Sequence, residues 1–230
     1  MILFDEYQPR LAQIAWAARI LAAVVKLMTY AGPAVADAPG TRTGGVPQTP
    51  SAFEWPRCRE CAGPMQFLAQ VSLADVERGS SGLLSIFMCQ NDPGLCDEWD
   101  AGAGGNRAFA FGADALHVPT PPGDGVTLLD EACAVRFEQV GAEDYLEAPG
   151  QWHQQSGRPV REVLGQVGGR AAWLQNDETP RCDGCAQPMA FVVQLEEGHD
   201  HRTSANFGGG GYGYGFQCRA CGTAAFLWQR

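Results

Sequence analysis

The chain has 230 residues, 45% hydrophobic and 18% charged, with 16 basic against 26 acidic side chains for a net charge of −10. That composition excludes a disordered chain. The acidic balance argues against nucleic acid as a partner, whose footprint would be a basic patch, and favours basic or neutral ones.

Residues 5–30 read as a helix, because Leu11, Ile14, Ala15, Ala18 and Leu21 recur at helical spacing. The stretch 23–28, Ala-Val-Val-Lys-Leu-Met, fits a strand equally well. The apolar run 11–31 carries Arg19 and Lys26, which argues against a membrane span. Ala34-Val35-Ala36 imitates a signal-peptidase site, but Asp5, Glu6 and Lys26 spoil the rest of that pattern. The expectation is a cytoplasmic protein with reduced thiols. A Pro/Gly/Thr-rich connector covers 32–50, a Gly/Ala-rich loop opens at 101–105, and Pro119-Thr-Pro-Pro-Gly-Asp-Gly125 is a second break. Residues 132–140 read as a strand, in which Cys133 is expected to be a small buried hydrophobe with no chemical role.

The nine cysteines fall as Cys58-x-x-Cys61, Cys89-x6-Cys96, Cys182-x-x-Cys185 and Cys218-x-x-Cys221, with Cys133 left over. An odd number closes no disulfide set, and paired CxxC knuckles in a chain this long point to metal sites. Pro56-Arg57-Cys58-x-x-Cys61-Ala62-x-Pro64-Met65-x-Phe67-x-x-Gln70 returns as Pro180-Arg181-Cys182-x-x-Cys185-Ala186-x-Pro188-Met189-x-Phe191-x-x-Gln194, at a constant offset of 124 residues. Gly44-Gly45 returns at the same offset as Gly168-Gly169, and both copies end in Phe-x-Cys, a further cysteine and a tryptophan (Trp99, Trp228). A supersecondary unit used twice is the reading.

In each unit a CxxC turn precedes an apolar strand (65–73 or 189–195), a glycine-rich turn follows, and a second strand returns to the second cysteine pair. Knuckles on adjacent strand ends are how a zinc ribbon assembles four thiolates. The expected fold is α+β and β-rich, made of duplicated, mostly antiparallel sheet units with zinc-ribbon-like knuckles and a few peripheral helices. The expected organisation is an N-terminal helix/strand segment 1–39, a first unit 40–127 and a second unit 128–230, together one compact pseudo-duplicated domain.

Gly44-Gly45-Val-Pro, Phe53-Glu54-Trp55-Pro56 and Pro64-Met65-x-Phe67-Leu68-Ala69-Gln70 resemble the YwqG-like family of bacterial proteins. Trp173-Leu174-Gln175, Asp177-Glu178-Thr179-Pro180 and Ala225-Phe226-Leu227-Trp228 are similar to it as well. The cysteine pattern is also similar to the eukaryotic programmed cell death protein 2 group, whose members are chaperones or adaptors for a small-subunit ribosomal protein. The resemblance covers roughly 40–230. It implies a duplicated α+β fold, no catalytic residues, client binding, and a strand over 23–30. Bacterial relatives include proteins thought to be immunity factors against secreted toxins.

The metal reading assigns Cys58, Cys61, Cys89 and Cys96 to one structural zinc and Cys182, Cys185, Cys218 and Cys221 to another. The alternatives are a redox CxxC or an iron–sulfur cluster; a redox motif belongs at a helix N-terminus, whereas Pro188-Met-Ala-Phe-Val-Val reads as a strand. His117, His153, His199 and His201 lack a ligand spacing and are expected in solvated loops. In the run 207–216, Tyr212, Tyr214 and Phe216 share one strand face and Gly211, Gly213 and Gly215 the other. Core packing is the simpler expectation for that run, and a client groove over the glycine face the sharper one. Gln70 and Gln194 are expected to lock their strands to the Gly-Gly turns. The function expected is a non-enzymatic, zinc-stabilised interaction module holding a protein client, basic in character (a ribosomal protein or a toxin), with neither nucleic acid nor membrane as partner. A thiol-redox enzyme using Cys182 and Cys185 is the alternative.

Overall fold

Strands buried on both faces organise the molecule. Every residue of Leu83–Met88 is buried, as are six of the seven in Gln66–Ser72. Such strands need one core on each side. The computed structural model describes residues 24–230. Within them the strands are β1 (Val24–Pro33), β2 (Arg42–Thr43), β3 (Thr49–Pro50), β4 (Gln66–Ser72), β5 (Leu83–Met88) and β6 (Asn106–Phe111). The chain continues with β7 (Leu116–His117), β8 (Cys133–Gly141), β9 (Val163–Val167), β10 (Ala190–Leu195), β11 (Tyr212–Cys218) and β12 (Thr223–Gln229). Helices are few: α1 (Leu73–Val76), α2 (Ala148–Ser156) and the 3-10 turn Val160–Glu162. No helix among the described residues is long and apolar enough to cross a membrane.

Ten strands close an antiparallel barrel in the order β1-β8-β2-β4-β5-β6-β12-β11-β10-β9, with β9 pairing back to β1, while β3 and β7 form a separate ribbon. Exchanging β1 with β8, β2 with β9, β4 with β10, β5 with β11 and β6 with β12 leaves that circular order unchanged. Local geometry recurs at the same 124-residue offset. The β4–β5 ladder bulges between Phe67 and Ala69, and the β10–β11 ladder between Phe191 and Val193. Gly44 N–H donates to Leu68 O at 2.7 Å, and Gly168 N–H to Val192 O at 2.9 Å.

The barrel interior is filled from every side by Met28, Val71, Leu84, Ile86, Leu164, Val193, Leu195 and Phe226, with Phe207 entering from a loop. Three smaller cores lie outside it. One, Phe67 and Phe87, surrounds the first cysteine set; another, Tyr214 and Phe216, surrounds the second; the third, Val25, Tyr145 and Trp152, sits under α2.

The helix expected over 5–30 is corrected over its last part. Val24–Pro33 is strand β1, paired with β8 from Val24↔Gly141 to Tyr30↔Val135. Long-range pairing with β8 and with β9 settles as strand a stretch that local composition fitted to helix or strand equally. The rest of that expected helix lies outside the described residues.

Both glutamines are fully buried and act as locks, though on the segments flanking the Gly-Gly turns. Gln70 Oε1 accepts from Gln48 N–H at 2.8 Å, and Gln70 Nε2 donates to Gly40 O at 2.9 Å. At the corresponding place Gln194 Oε1 accepts from Ala172 N–H at 3.0 Å and from Gln166 Nε2 at 3.1 Å. Gln166 also donates to Arg170 O at 2.9 Å, and its counterpart in the first half is Arg42, buried at 1% exposure and donating to Ala38 O at 2.8 Å as well as to Gly44 O and Val46 O. Burial of the Arg42 guanidinium lowers its pKa to about 10, with Asp37 acting in the opposite sense.

Core packing, the simpler expectation for the run 207–216, holds, and the alternative of a groove over the glycine face of β11 does not. A Cβ on Gly213 would meet Phe207 and Phe226 at 2.8 Å, and one on Gly215 would meet Val193, Leu84 and Ile86 at 2.8–3.1 Å. These glycines make room for the barrel's own aromatic and branched side chains. Tyr214 and Phe216 point the other way, onto Trp173 at ring separations of 4.5 and 5.9 Å.

Candidate metal centres

The CxxC knuckle that opens each set is a tight turn held at its mouth by an antiparallel bridge, Arg57↔Pro64 in the first and Arg181↔Pro188 in the second. Ala62 N–H donates to Cys58 O at 3.0 Å and Ala186 N–H to Cys182 O at 2.7 Å. Both alanines have φ of 57°, the left-handed region, at a cost of about 1–2 kcal/mol for a residue with a Cβ. The arginine before each knuckle helps to hold that turn: Arg57 Nη1 donates to Ala62 O at 2.9 Å and Arg181 Nη1 to Ala186 O at 3.0 Å.

The second cysteine pair of each set comes from the returning strand. Cys218 ends β11, and the turn through Gly222, at φ of 68°, brings Cys221 back beside it. Cys89 follows β5 with its N–H on Gly105 O at 2.7 Å. The six-residue spacer to Cys96 is accommodated by a folded loop in which Gly94, at φ of 79°, donates to Glu98 Oε1 at 2.6 Å. Glu98 is itself 2% exposed, and its carbonyl accepts from Asn106 Nδ2 at 2.8 Å, so the loop is anchored from inside.

The outcome is two quartets. The sulfurs of Cys58, Cys61, Cys89 and Cys96 lie within 4.8 Å of one another, and so do those of Cys182, Cys185, Cys218 and Cys221. Cys61 and Cys89 are 3.6 Å apart at sulfur, as are Cys185 and Cys218. A disulfide requires about 2.0 Å. A tetrahedron with metal–sulfur bonds of about 2.3 Å has edges of about 3.8 Å, so both quartets fit a four-coordinate zinc closed by protein ligands.

Polar groups around the sulfurs complete the fit. Asn91 Nδ2 points at Cys89 Sγ at 3.4 Å and Cys61 Sγ at 3.7 Å while donating to Pro64 O at 3.0 Å. A Cβ on Gly63 would lie 2.5 Å from that Nδ2, so glycine there leaves Asn91 its place. In the second quartet the Thr223 hydroxyl lies 3.3 Å from Cys182 Sγ and holds that thiol down to about 6. Hydrogen bonding with Cys185, Cys182 and Cys218 pushes Cys221 up to about 12, and burial raises Cys89 and Cys96. Four clustered thiols cannot all ionise side by side, and a divalent cation at the centre removes that conflict.

The two quartets differ in access. Three cysteines of the first are buried and Cys61 is half-buried, whereas Cys221 of the second is exposed. The histidines stay outside both. His117, His153 and His201 are exposed, but of the four only His201 is a solvated loop residue: His117 ends β7, His153 lies in α2, and His199 is largely covered. It stacks on Tyr30 at 3.9 Å, its side chain is 14% exposed, and its Nδ1 sits 3.1 Å from Thr203 Oγ1 and 3.8 Å from Cys133 Sγ. Burial, together with the charges of Asp200 and Glu131, raises the Cys133 thiol, although hydrogen bonds with Thr43 and Thr203 oppose the rise, so it stays a protonated core residue. Asn91 and Thr223 were missed in the sequence; Asn91 stands two residues beyond Cys89 and Thr223 two beyond Cys221, but nothing in the spacing marks either.

The pattern built around these knuckles is shared. The family described as "Domain of unknown function (DUF1963)" matches residues 41–214. The chain belongs to the DUF1963 family. Its match takes in the first quartet whole and reaches Cys182 and Cys185 of the second. The uncharacterized protein YpfL of Salmonella typhimurium (strain LT2) is 39% identical over 69 residues, a stretch that is 30% of this chain and 15% of that relative. The match thus spans about a seventh of the relative's length.

Proposed function

We propose that the chain is a non-enzymatic, zinc-stabilised protein-interaction module built by internal duplication, and that each cysteine quartet holds one structural zinc. The observation that carries this reading is the pair of all-cysteine quartets, each within 4.8 Å and each supplied by a knuckle and a returning strand end. Four protein thiolates leave a zinc no open position for substrate, so such a site anchors folding. Cys58 and Cys61, and Cys182 and Cys185, are the ligands the knuckles would supply, with Cys89 and Cys96 completing the first set and Cys218 and Cys221 the second from the returning strands. The mirrored strand order and the matched bulges support the duplication.

The likeness to the YwqG-like family and to the programmed cell death protein 2 group supports a chaperone-, adaptor- or immunity-like role on a basic protein client in the cytoplasm. The charge of −10 suits such a client through steering and specificity. For the thiol-redox alternative, the geometry is unfavourable: each CxxC lies in a turn ahead of a strand, not at a helix N-terminus.

Metal analysis of protein purified without chelator, combined with thiol-reactivity kinetics, separates the two. About two zinc per chain with slowly reacting thiols is the expected result. Zinc-free protein with one fast, low-pKa thiol would overturn the structural reading in favour of redox chemistry. Native pulldown at moderate salt with mass spectrometry tests the client, and recovery of no stoichiometric partner would count against it.

A further inference from the structure

A cavity of about 340 Å³ lies between the loop before α2, the 3-10 turn and the ends of β10 and β11. No cysteine lines it. Its polar groups are few and its geometry is specific. Glu196, the residue after β10, accepts a hydrogen bond on Oε1 from the Tyr145 hydroxyl at 2.7 Å. The Tyr145 ring meets the Tyr212 ring edge-to-face at 5.8 Å, so the carboxyl is flanked by two aromatic walls.

Among the described residues no basic side chain pairs with Glu196. Its other oxygen has no protein partner there. Leu146 and Val160, which border the opening, are 59% and 46% exposed and give it an apolar rim.

We propose that this cavity receives one lysine side chain of a partner protein, its ammonium on Glu196 and its methylenes along Tyr145, Tyr212 and the apolar rim. A ligand carrying both an aliphatic stem and a cationic tip matches apolar walls that end in a carboxylate. Tyr145 occupies Oε1, which leaves one oxygen free. That suits the point charge of an ammonium better than the two-pronged guanidinium, which is best met by two free oxygens.

The titratable groups around the site agree. Burial holds the Glu196 carboxyl up at about 7, the Tyr145 hydrogen bond opposes this, and the neighbouring Glu197 carboxylate adds to it. Glu197 is itself occupied by the Phe207 and Gly209 amides at 3.0 and 2.8 Å. Tyr145 and Tyr212 are both held above the ordinary phenol range by burial and by the Glu196 charge, so they stay neutral. Arg161, at the rim, is exposed and is the cation a ligand would have to pass. A lysine entering the site ionises Glu196, so binding strengthens as pH rises through about 7.

The site rests on the interaction reading only in needing a basic partner; the cavity does not depend on the metal. The test titrates Nα-acetyl-lysine methylamide into the full zinc-loaded chain, by calorimetry or by NMR, with the arginine and norleucine analogues as comparisons. Lysine is expected to bind saturably, arginine more weakly, and norleucine at least about tenfold more weakly than lysine. Lysine binding is expected to tighten between about pH 6 and about pH 8. Glu196→Gln keeps an acceptor for Tyr145; it should cost about tenfold in lysine affinity and flatten the pH response while zinc content and melting midpoint are retained or raised. Equal binding of norleucine, or unchanged lysine affinity in Glu196→Gln, would overturn the proposal. Zinc measured in the same samples keeps its failure separate: lysine binding by a zinc-free chain leaves the cavity standing and removes the metal reading alone.

Discussion

Replacing Gln194 with leucine tests the lock that ties β10 to the segment after Gly168-Gly169. Gln194 is fully buried, and its Oε1 accepts from both Ala172 N–H and Gln166 Nε2. Leucine removes that acceptor from two donors at once. Gln166 keeps its bond to Arg170 O, so its loss is partial, whereas the Ala172 amide is left without this partner. An orphaned buried donor costs about 1–3 kcal/mol. Gln194 Nε2 has no partner as it stands, so leucine also relieves one unpaired group. The net expectation is a loss of about 1 kcal/mol, which for a chain of this size lowers the melting midpoint by about 2–4 °C. Scanning calorimetry with parallel zinc analysis measures both, and the zinc content is expected to stay the same. If the midpoint is unchanged while partner binding is lost, Gln194 faces a client and the lock is refuted.

Cys182→Ser takes one ligand from the second quartet; zinc should fall from about two to about one per chain, with a lower midpoint and soluble yield but no complete unfolding. Unchanged zinc by elemental analysis would remove that site. Because Cys221 is exposed while three cysteines of the first quartet are buried, a chelator should strip the second zinc first. A zinc indicator is expected to record two phases, the fast one missing in Cys182→Ser, and a single phase in the wild type would contradict this. Glu196 has its folded pKa at about 7, above its ordinary 4.5, so the unfolded chain releases that proton first and stability falls as pH rises between those values. Glu196→Gln should therefore raise stability above about pH 7 by about 2 kcal/mol, allowing for the solvent that reaches its cavity, and leave it nearly unchanged below about pH 4. Urea titrations at several pH values measure this, and a pH-independent difference would contradict it.

Cysteine spacing and the recurring Pro-Arg-Cys block settled much by themselves. A CxxC turn ahead of an apolar strand is local chemistry, so the knuckles at Cys58 and Cys182 and strands β4 and β10 were legible from neighbouring residues. The buried glutamines were legible too, because an amide in an apolar strand must be hydrogen-bonded. What the sequence left open depends on residues far apart in the chain. Val24–Pro33 is a strand because β8 and β9 pair with it from both sides, which no local spacing records. Cys96 joins its quartet because buried Glu98 folds the spacer back. The glycine face of β11 is filled because barrel closure brings Phe207, Phe226 and Leu84 against it. His199 is covered by Tyr30, and Glu196 ends up facing Tyr145, 51 residues away. Local propensity and ligand spacing act over a few residues and can be read in order. Which faces become covered, and which carboxyl is left in a cavity without a counter-ion, is decided only when the barrel closes.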